Sequence, residues 1–259
     1  MTWTTLPRSK QGDLSTIVSG DGPPLLLIHG VGLRGEAWCG QIDTLSTNYK
    51  ITAVDMPGHG ASVLPAGDMT LTRYADRIAA TLSEPSVVIG HSMGAMIALD
   101  IAIRFPGLVR GVVALNAIYQ RGTAARKAVR ARAAGLDGLS HPDPSAALER
   151  WFGTATSPAR EACRGWLSDV DPRGYAAAYQ VFANEDGPAP DDLATLPCPA
   201  LFMTGSKEPN STPAMSHAMA ALAPRGRTSI IEGAAHMMPM THADQVNAGL
   251  MAFAQECFR

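Results

Sequence analysis

The sequence predicts an α/β fold in which helices flank a mostly parallel sheet. Short apolar runs rich in β-branched residues alternate with longer stretches of helical period, which is the pattern of strand–helix–strand crossovers. Residues 25–29 (LLLIH) are almost continuously apolar, as expected of a central strand buried on both faces. With 46% apolar residues in 259, the chain is long enough for one sizeable core. We therefore expect one domain over 1–259.

Before residue 119 the predicted elements alternate regularly between strand and helix. They are strand 25–29, helix 36–45, strand 50–54, helix 70–82, strand 86–89, helix 93–105 and strand 111–115. Thr70 stands where its hydroxyl can cap the free N–H groups of the second helix. Pro106 and Gly107 end the third helix because neither residue favours its continuation.

The strand signal disappears between residues 119 and 190. Ala- and Arg-rich segments of helical composition in this region are broken by Gly-Leu-Asp-Gly and Asp-Pro-Arg-Gly. We interpret about 119–190 as a helical cap inserted between the core segments 1–118 and 191–259. The alternation then resumes with strand 200–204, helix 212–222, strand 228–231 and helix 243–253.

Composition excludes several classes of partner. The formal net charge is only −2, so the basic surface that binds nucleic acid is missing. No basic segment followed by an apolar one opens the sequence, and no apolar run could cross a membrane. We expect a cytoplasmic protein without a membrane partner. The four cysteines form no Cys-x-x-Cys pair, which argues against a disulfide framework or zinc site. The oligomeric state stays open.

A Gly-x-Ser-x-Gly motif at 90–94 (GHSMG) carries the strongest chemical signal. It follows the apolar run 87–89 directly and precedes the helical run 95–99, which is the strand–turn–helix context of a nucleophile elbow. Glycines would let the strand and helix approach closely while Ser92 takes a strained conformation. Ser92 Oγ would then stand at a helix N-terminus, where the macrodipole favours negative charge. We predict Ser92 as a nucleophile; the alternative is a plain Gly-Ser turn.

The His-Gly-Val-Gly segment at 29–32 follows the first buried strand, where such a site needs a second backbone donor. We predict the N–H groups of Val31 and Met93 as the oxyanion-binding pair. With both motifs in place, the sequence resembles the α/β-hydrolase superfamily over nearly the whole chain, and residues 55–62 (DMPGHGAS) resemble its Asp-x-x-Gly-x-Gly-x-Ser loop. Within the superfamily, the length of the cap and its segments 151–152 (WF) and 171–176 (DPRGYA) are similar to the 3-oxoadipate enol-lactonase group and related small carboxylesterases.

The resemblance implies that the catalytic residues follow the order serine, acid, histidine. We predict His236 as the base because it lies in the glycine-containing loop after the last strand. His217 falls inside a predicted helix, and His242 is interpreted as a cap of the last helix. His29, at the end of a buried strand, is interpreted as structural. No histidine shows the His-Glu-x-x-His spacing of a zinc enzyme, and we expect neither metal nor cofactor.

Glu208 is the predicted acid. The superfamily pattern is Gly-x-x-Asp with a proline five residues after the acid, and this chain has Gly205, Glu208 and Pro213 at those positions. A glutamate carries the same charge as an aspartate, but its extra methylene requires a shifted backbone or another rotamer. Two alternatives remain at this point: Asn116, after the strand 111–115, and Asp186 in the cap.

The cap adds two groups of side chains that face either solvent or a pocket. The basic residues are Arg121, Arg126, Lys127, Arg130 and Arg132, and the aromatic ones are Trp151, Phe152, Tyr175, Tyr179 and Phe182. We interpret the basic residues as a solvated helix face, with steering of a carboxylate-bearing substrate as the alternative. Most of the aromatic residues are expected to pack within the cap. Trp151 alone is predicted to contact substrate.

The combined motifs predict hydrolysis of a small-molecule ester or lactone through an acyl-enzyme on Ser92. The first alternative keeps the same residues for hydrolysis of carbon–carbon bonds, lyase or perhydrolase chemistry, because fold and triad do not fix the substrate. The second is a ligand-binding receptor without catalysis. The acyl group or ring that is cleaved stays open.

Overall fold

The computed structural model describes residues 5–141 and 143–259, so the first four residues of the N-terminal segment considered above lie outside the described part. Eight strands form one sheet in the order β1-β2-β4-β3-β5-β6-β7-β8. The strands are β1 Ser9–Gln11, β2 Leu14–Ser19, β3 Pro24–Ile28, β4 Lys50–Val54, β5 Ser86–His91, β6 Val109–Leu115, β7 Ala200–Gly205 and β8 Gly226–Ile231. All pairings from β4 to β8 are parallel, whereas β1 and β2 join antiparallel at one edge.

Helices cover both faces of this sheet. They are α1 Cys39–Leu45, α2 Leu71–Ala79, α3 Met93–Arg104, α4 Thr123–Ala134, α5 Ser145–Phe152, α6 Pro158–Asp169, α7 Pro172–Asn184, α8 Pro190–Ala194, α9 Pro213–Leu222, α10 Met238–Thr241 and α11 Ala243–Cys257. Because side chains alternate along a strand, Leu26 and Ile28 of β3 join the core under α2, α3 and α9. Leu25 and Leu27 join the opposite core under α1 and α11.

Helix boundaries follow the capping residues. Thr70 precedes α2, and its hydroxyl accepts the Arg73 N–H at 3.1 Å, as the sequence predicts. Thr212 is likewise an N-cap rather than a helical residue, so α9 begins at Pro213. The helix predicted at 36–45 is a 3₁₀ turn, Gly35–Trp38, followed by α1.

Helices α4 to α7 lie between β6 and β7, in the segment that the sequence analysis interprets as a cap. Val129 and Ala133 of α4 pack against Ala183 of α7. Helices α5 and α6 pack together and rest on core loops through contacts that include Leu33 and Met237. The cap therefore lies over the carboxyl ends of the central strands, where loops of an open α/β sheet form binding crevices. No helix in the described ranges is long and apolar enough to cross a bilayer.

His29 and His59 are buried beneath these loops, as a structural role for His29 requires. His29 Nδ1–H donates to the Gly30 carbonyl at 2.8 Å, and its Nε2 accepts the Met56 N–H at 3.0 Å. Burial is the largest cause that lowers the pKa of His29 to about 4 and that of His59 to about 3. Both rings are therefore neutral near neutral pH, and protonation of His29 would break its bond from Met56.

Lowering the pH is expected to destabilise the fold at pH values well above those at which carboxylates titrate. An unfolded histidine has a pKa near about 6.5, so between that value and about pH 4 the unfolded state binds more protons than the folded state. The free energy of unfolding should therefore be highest above about pH 6.5 and should fall as pH falls, by roughly 3 kcal/mol for His29 alone.

Urea unfolding from about pH 7.5 to about pH 4.5 measures this slope. His217→Gln, which removes an exposed histidine of α9, serves as the matched control. A free energy of unfolding that stays constant over this range would contradict the assignment of neutral, buried histidines.

Candidate active site

Ser92 occupies the sharp turn between β5 and α3 with a strained backbone. Its φ is 58° and its ψ −119°, a conformation that L-residues rarely adopt. A Cβ on Gly90 would lie 2.0 Å from the Gly94 carbonyl oxygen, and one on Gly94 would lie 2.2 Å from the Ile28 oxygen. Only glycine fits at either position, so strand, turn and helix can pack closely and present the Ser92 side chain.

Two backbone donors lie beside Ser92. The loop 29–32 packs directly against the serine, because a Cβ on Gly30 would lie 3.0 Å from Ser92 Cβ and 3.5 Å from its Oγ. The Val31 and Met93 N–H groups have no acceptor among the residues that the structure describes. Met93 is the first residue of α3, whose N–H lies beyond the reach of the helix's own carbonyls. Both predicted donors are thus free to bind an anion.

Glu208 holds the ring of His236. Glu208 Oε2 accepts a hydrogen bond from His236 Nδ1 at 3.0 Å, and Oε1 accepts the N–H groups of Asn210 at 2.8 Å and Ser211 at 3.2 Å. Burial opposes ionisation, but the charge and hydrogen bond of His236 and the two backbone donors together lower the pKa of Glu208 to about 2. The carboxylate is therefore ionised at neutral pH and fixes His236 with Nε2 facing away from it.

The alternative acids do not contact the imidazole. Asp186 pairs with Arg121 at 3.1 Å and with Arg126 at 2.7 Å, both within the cap. Asn116 Nδ2 donates at 2.6 Å to the backbone carbonyl of His236 and not to its ring. Of the three candidates, Glu208 alone is hydrogen-bonded to the ring of His236.

His236 and Ser92 open onto the same cavity. Among the described residues no hydrogen bond joins the Ser92 hydroxyl to His236, and such bonds often tighten only around bound substrate. Trp151 stacks on the His236 ring with centroids 5.7 Å apart and planes at 23°.

His217 is exposed on α9. His242 is the N-cap residue of α11, as predicted, but its side chain contacts Thr241 Oγ1 and forms no capping hydrogen bond.

A buried polar network behind His236 was missed by sequence reasoning. The backbone carbonyl of His236 accepts the Asn116 amide at 2.6 Å and His91 Nε2–H at 2.8 Å. Burial and the neighbouring His236 lower the pKa of His91 to about 3, so His91 stays neutral. Thr204 Oγ1 lies 2.9 Å from Asn116 Oδ1 and orients the amide. In the sequence, this network is indicated only by the position of Asn116 after a buried strand. In the structure, the φ of Asn116 is 51°.

Removing the Asn116 side chain should lower kcat with little change in KM, since the amide orients His236 without facing the cavity. Asn116→Gly is the suitable variant because glycine accepts the positive φ, and we expect kcat to fall about 10-fold. Gln120→Gly makes the same change at another left-handed residue, φ 49°, outside the network. Steady-state kinetics of both variants tests this role, and equal kcat for Asn116→Gly and wild type would refute it.

The cavity over Ser92 has a volume of about 270 Å³ and mostly apolar walls. The cap contributes Val129 from α4, Trp151 from α5, and three aromatic residues of α7, Tyr175, Tyr179 and Phe182. Phe152 packs between α5 and α6 instead. Trp151 therefore lines the cavity, and its contact with substrate stays a prediction. The aromatic residues of α7, which were expected to pack within the cap, also line the cavity. These aromatic residues can pack within the cap and line the cavity at the same time.

The basic residues of the cap are not all on a solvated face, contrary to expectation. Arg121 is buried: it pairs with Asp186, donates to the Glu185 and Phe182 carbonyls and covers the Phe182 ring at 4.4 Å. Arg121 and Arg132 line the cavity, as does Arg150 of α5, which the sequence did not single out. No group of three or more His, Cys, Asp or Glu side chains in the described ranges could hold a metal ion.

Comparison with known proteins places this chain in a family. The model of the alpha/beta hydrolase family matches residues 25–248. The chain is 37% identical over 257 residues to (E)-2-((N-methylformamido)methylene)succinate hydrolase of Acinetobacter baylyi, covering 97% of each protein. It is 31% identical over 246 residues to pimeloyl-[acyl-carrier protein] methyl ester esterase of Xanthomonas axonopodis, covering 91% of this chain and 96% of that one.

Solved structures share the fold. A thermophilic esterase from Thermogutta terrifontis superposes with a TM-score of 0.85 at 24% identity, covering 97% of this chain and 99% of that one. An enol-lactonase from Burkholderia xenovorans superposes with a TM-score of 0.78 at 23% identity, covering 95% and 99%. The family match spans most of the chain, and the sheet order and elbow agree with it. The chain therefore belongs to the alpha/beta hydrolase family.

Proposed function

We propose that this hydrolase cleaves a carboxylic ester or lactone of a small molecule through an acyl-enzyme on Ser92. The observation that carries the proposal is the Glu208–His236 hydrogen bond of 3.0 Å beside a cavity that Ser92 shares. An ionised carboxylate on Nδ1 leaves Nε2 as the basic nitrogen on the cavity side, as proton transfer from a serine requires. The small cavity favours a small substrate.

In the proposed reaction Ser92 Oγ attacks the carbonyl carbon while His236 Nε2 takes the hydroxyl proton. The Val31 and Met93 N–H groups bind the oxyanion of the tetrahedral intermediate. When that intermediate collapses, the bond to the leaving oxygen breaks and the imidazolium returns its proton to that oxygen. A water molecule activated by His236 then releases the acid and restores Ser92.

An amide is a second candidate for the bond that is broken. The Acinetobacter baylyi relative, which matches along almost its whole length, is named for a substrate that carries an N-methylformamido group. The proposed chemistry differs only in that the leaving atom is nitrogen, which must be protonated as it departs. We propose that the site can accept such an N-acyl group as well as an ester.

A panel of short p-nitrophenyl esters, lactones and N-acyl enamines tests these proposals. Release of acid that depends on the enzyme concentration supports hydrolysis, and the preferred member identifies the bond type. If no ester, lactone or N-acyl compound in the panel is hydrolysed, the proposed activity is wrong.

A further inference from the structure

The cavity over Ser92 carries positive charge that the described residues do not neutralise. Arg132 of α4 and Arg150 of α5 both line it, and neither forms an ion pair within the described part of the chain. Arg132 uses its Nε–H for a hydrogen bond of 3.0 Å to Tyr179 Oη, which leaves its terminal nitrogens free. The lining residues include neither aspartate nor glutamate. The exposed guanidinium groups of Arg132 and Arg150 thus lie at a cavity whose walls are mostly apolar.

The third arginine of the cavity, Arg121, differs from these two because its guanidinium group has partners within the cap. Arg121 is matched by Asp186 at 3.1 Å and by the Glu185 and Phe182 carbonyls at 2.6 and 3.0 Å. A buried guanidinium such as that of Arg121 is costly without such partners, whereas Arg132 and Arg150 are exposed. Since Arg132 and Arg150 have no equivalent partner, their charge is available to a ligand.

Tyr175 adds an uncharged donor at the same place. The charges of Arg150 and Arg132 both act on its hydroxyl, although burial is the larger influence and raises the pKa of Tyr175 to about 12. The phenol is therefore protonated, and its Oη has no hydrogen-bond partner among the described residues. It lines the cavity beside the two arginines.

We propose that Arg132, Arg150 and Tyr175 form a carboxylate-binding subsite, so that the substrate carries a carboxylate away from the acyl bond that is broken. The inference rests on the proposed function for the identity of that bond. Guanidinium groups bind the planar carboxylate through paired, charge-assisted hydrogen bonds. A cavity of about 270 Å³ must hold the anion together with the acyl group, which favours a compact carboxylate over a phosphate ester.

Matched esters test the subsite. Monomethyl glutarate carries the carboxylate, and methyl 5-methylhexanoate replaces it by an uncharged group of the same shape; the succinate and adipate pairs vary the length. We expect wild type to prefer the carboxylate ester by at least about 10-fold in kcat/KM. Arg132→Gln and Arg150→Gln should each remove most of this preference, because the KM of the carboxylate ester should rise far more than the KM of the neutral ester. Arg150→Lys should retain part of it.

Arg130→Gln is the control, because Arg130 is, like Arg132, an exposed arginine of α4 but does not line the cavity. Equal kcat/KM for charged and neutral esters, or an equal loss for both in the arginine variants, would overturn the subsite while leaving the proposed hydrolase intact. If wild type cleaves neither ester, calorimetry with the diacids decides separately: binding that both arginine variants weaken supports the subsite, and absence of binding refutes it.

Discussion

Replacing Ser92 with alanine is expected to lower kcat by at least about 10,000-fold. The proposed acyl-enzyme requires the hydroxyl, and neither His236 nor the two backbone donors can form that bond. Whatever turnover remains would come from binding and from the Val31 and Met93 N–H groups acting on direct attack by water. Steady-state hydrolysis of the best substrate in the panel measures the loss.

Ser216→Ala provides a matched control for this substitution. Ser216 is buried on α9, does not line the cavity, and its hydroxyl has no hydrogen-bond partner among the described residues. Its replacement should leave kcat within about 2-fold of wild type. Both variants should unfold at similar temperatures, because alanine at Ser92 keeps the same strained backbone. A Ser92→Ala enzyme that retains wild-type kcat would exclude the acyl-enzyme.

Replacing Glu208 with glutamine should lower kcat by about 1,000- to 10,000-fold. This decrease is larger than the loss of one negative charge would cause by itself. The N–H groups of Asn210 and Ser211 both donate to Glu208 Oε1, so they would hold the amide oxygen of glutamine at that position. The amide NH₂ would then face His236 Nδ1, which must become the acceptor. The proton would move to Nε2, and His236 could no longer take a proton from Ser92.

Glu232→Gln is the control for Glu208→Gln. Glu232 is exposed and lies four residues before His236 in sequence, so the same chemical change is made near the loop without touching the imidazole. NMR of the His236 ring nitrogens would report the tautomer directly. Full turnover by Glu208→Gln, or a proton that stays on Nδ1, would remove Glu208 from the mechanism.

The sequence predicted the parallel part of the sheet because its central strands, such as β3 and β5, are compact apolar runs bounded by turn residues. It missed β1, a three-residue edge strand, and β2, which lies between β1 and β4; both mix polar and apolar residues. Such strands are defined by their antiparallel neighbours rather than by a continuous apolar run.

The elbow and the loop of Glu208 could be predicted because their spacing along the chain reflects local geometry. The role of Asn116 could not, since its amide meets a carbonyl 120 residues away. Arg121 likewise appeared to belong to a solvated basic helix until folding brought Asp186, 65 residues later, against it. Contacts of that range depend on tertiary packing, which periodicity and spacing do not encode.

Mass spectrometry of the protein after reaction with a fluorophosphonate tests the central claim most directly, because the reagent bonds only to a serine that is activated as a nucleophile. We predict one adduct per chain, located on the peptide that contains Ser92, and none in Ser92→Ala. Slower labelling is expected in Glu208→Gln. An unlabelled wild-type protein, or an adduct on any residue other than Ser92, would contradict the account.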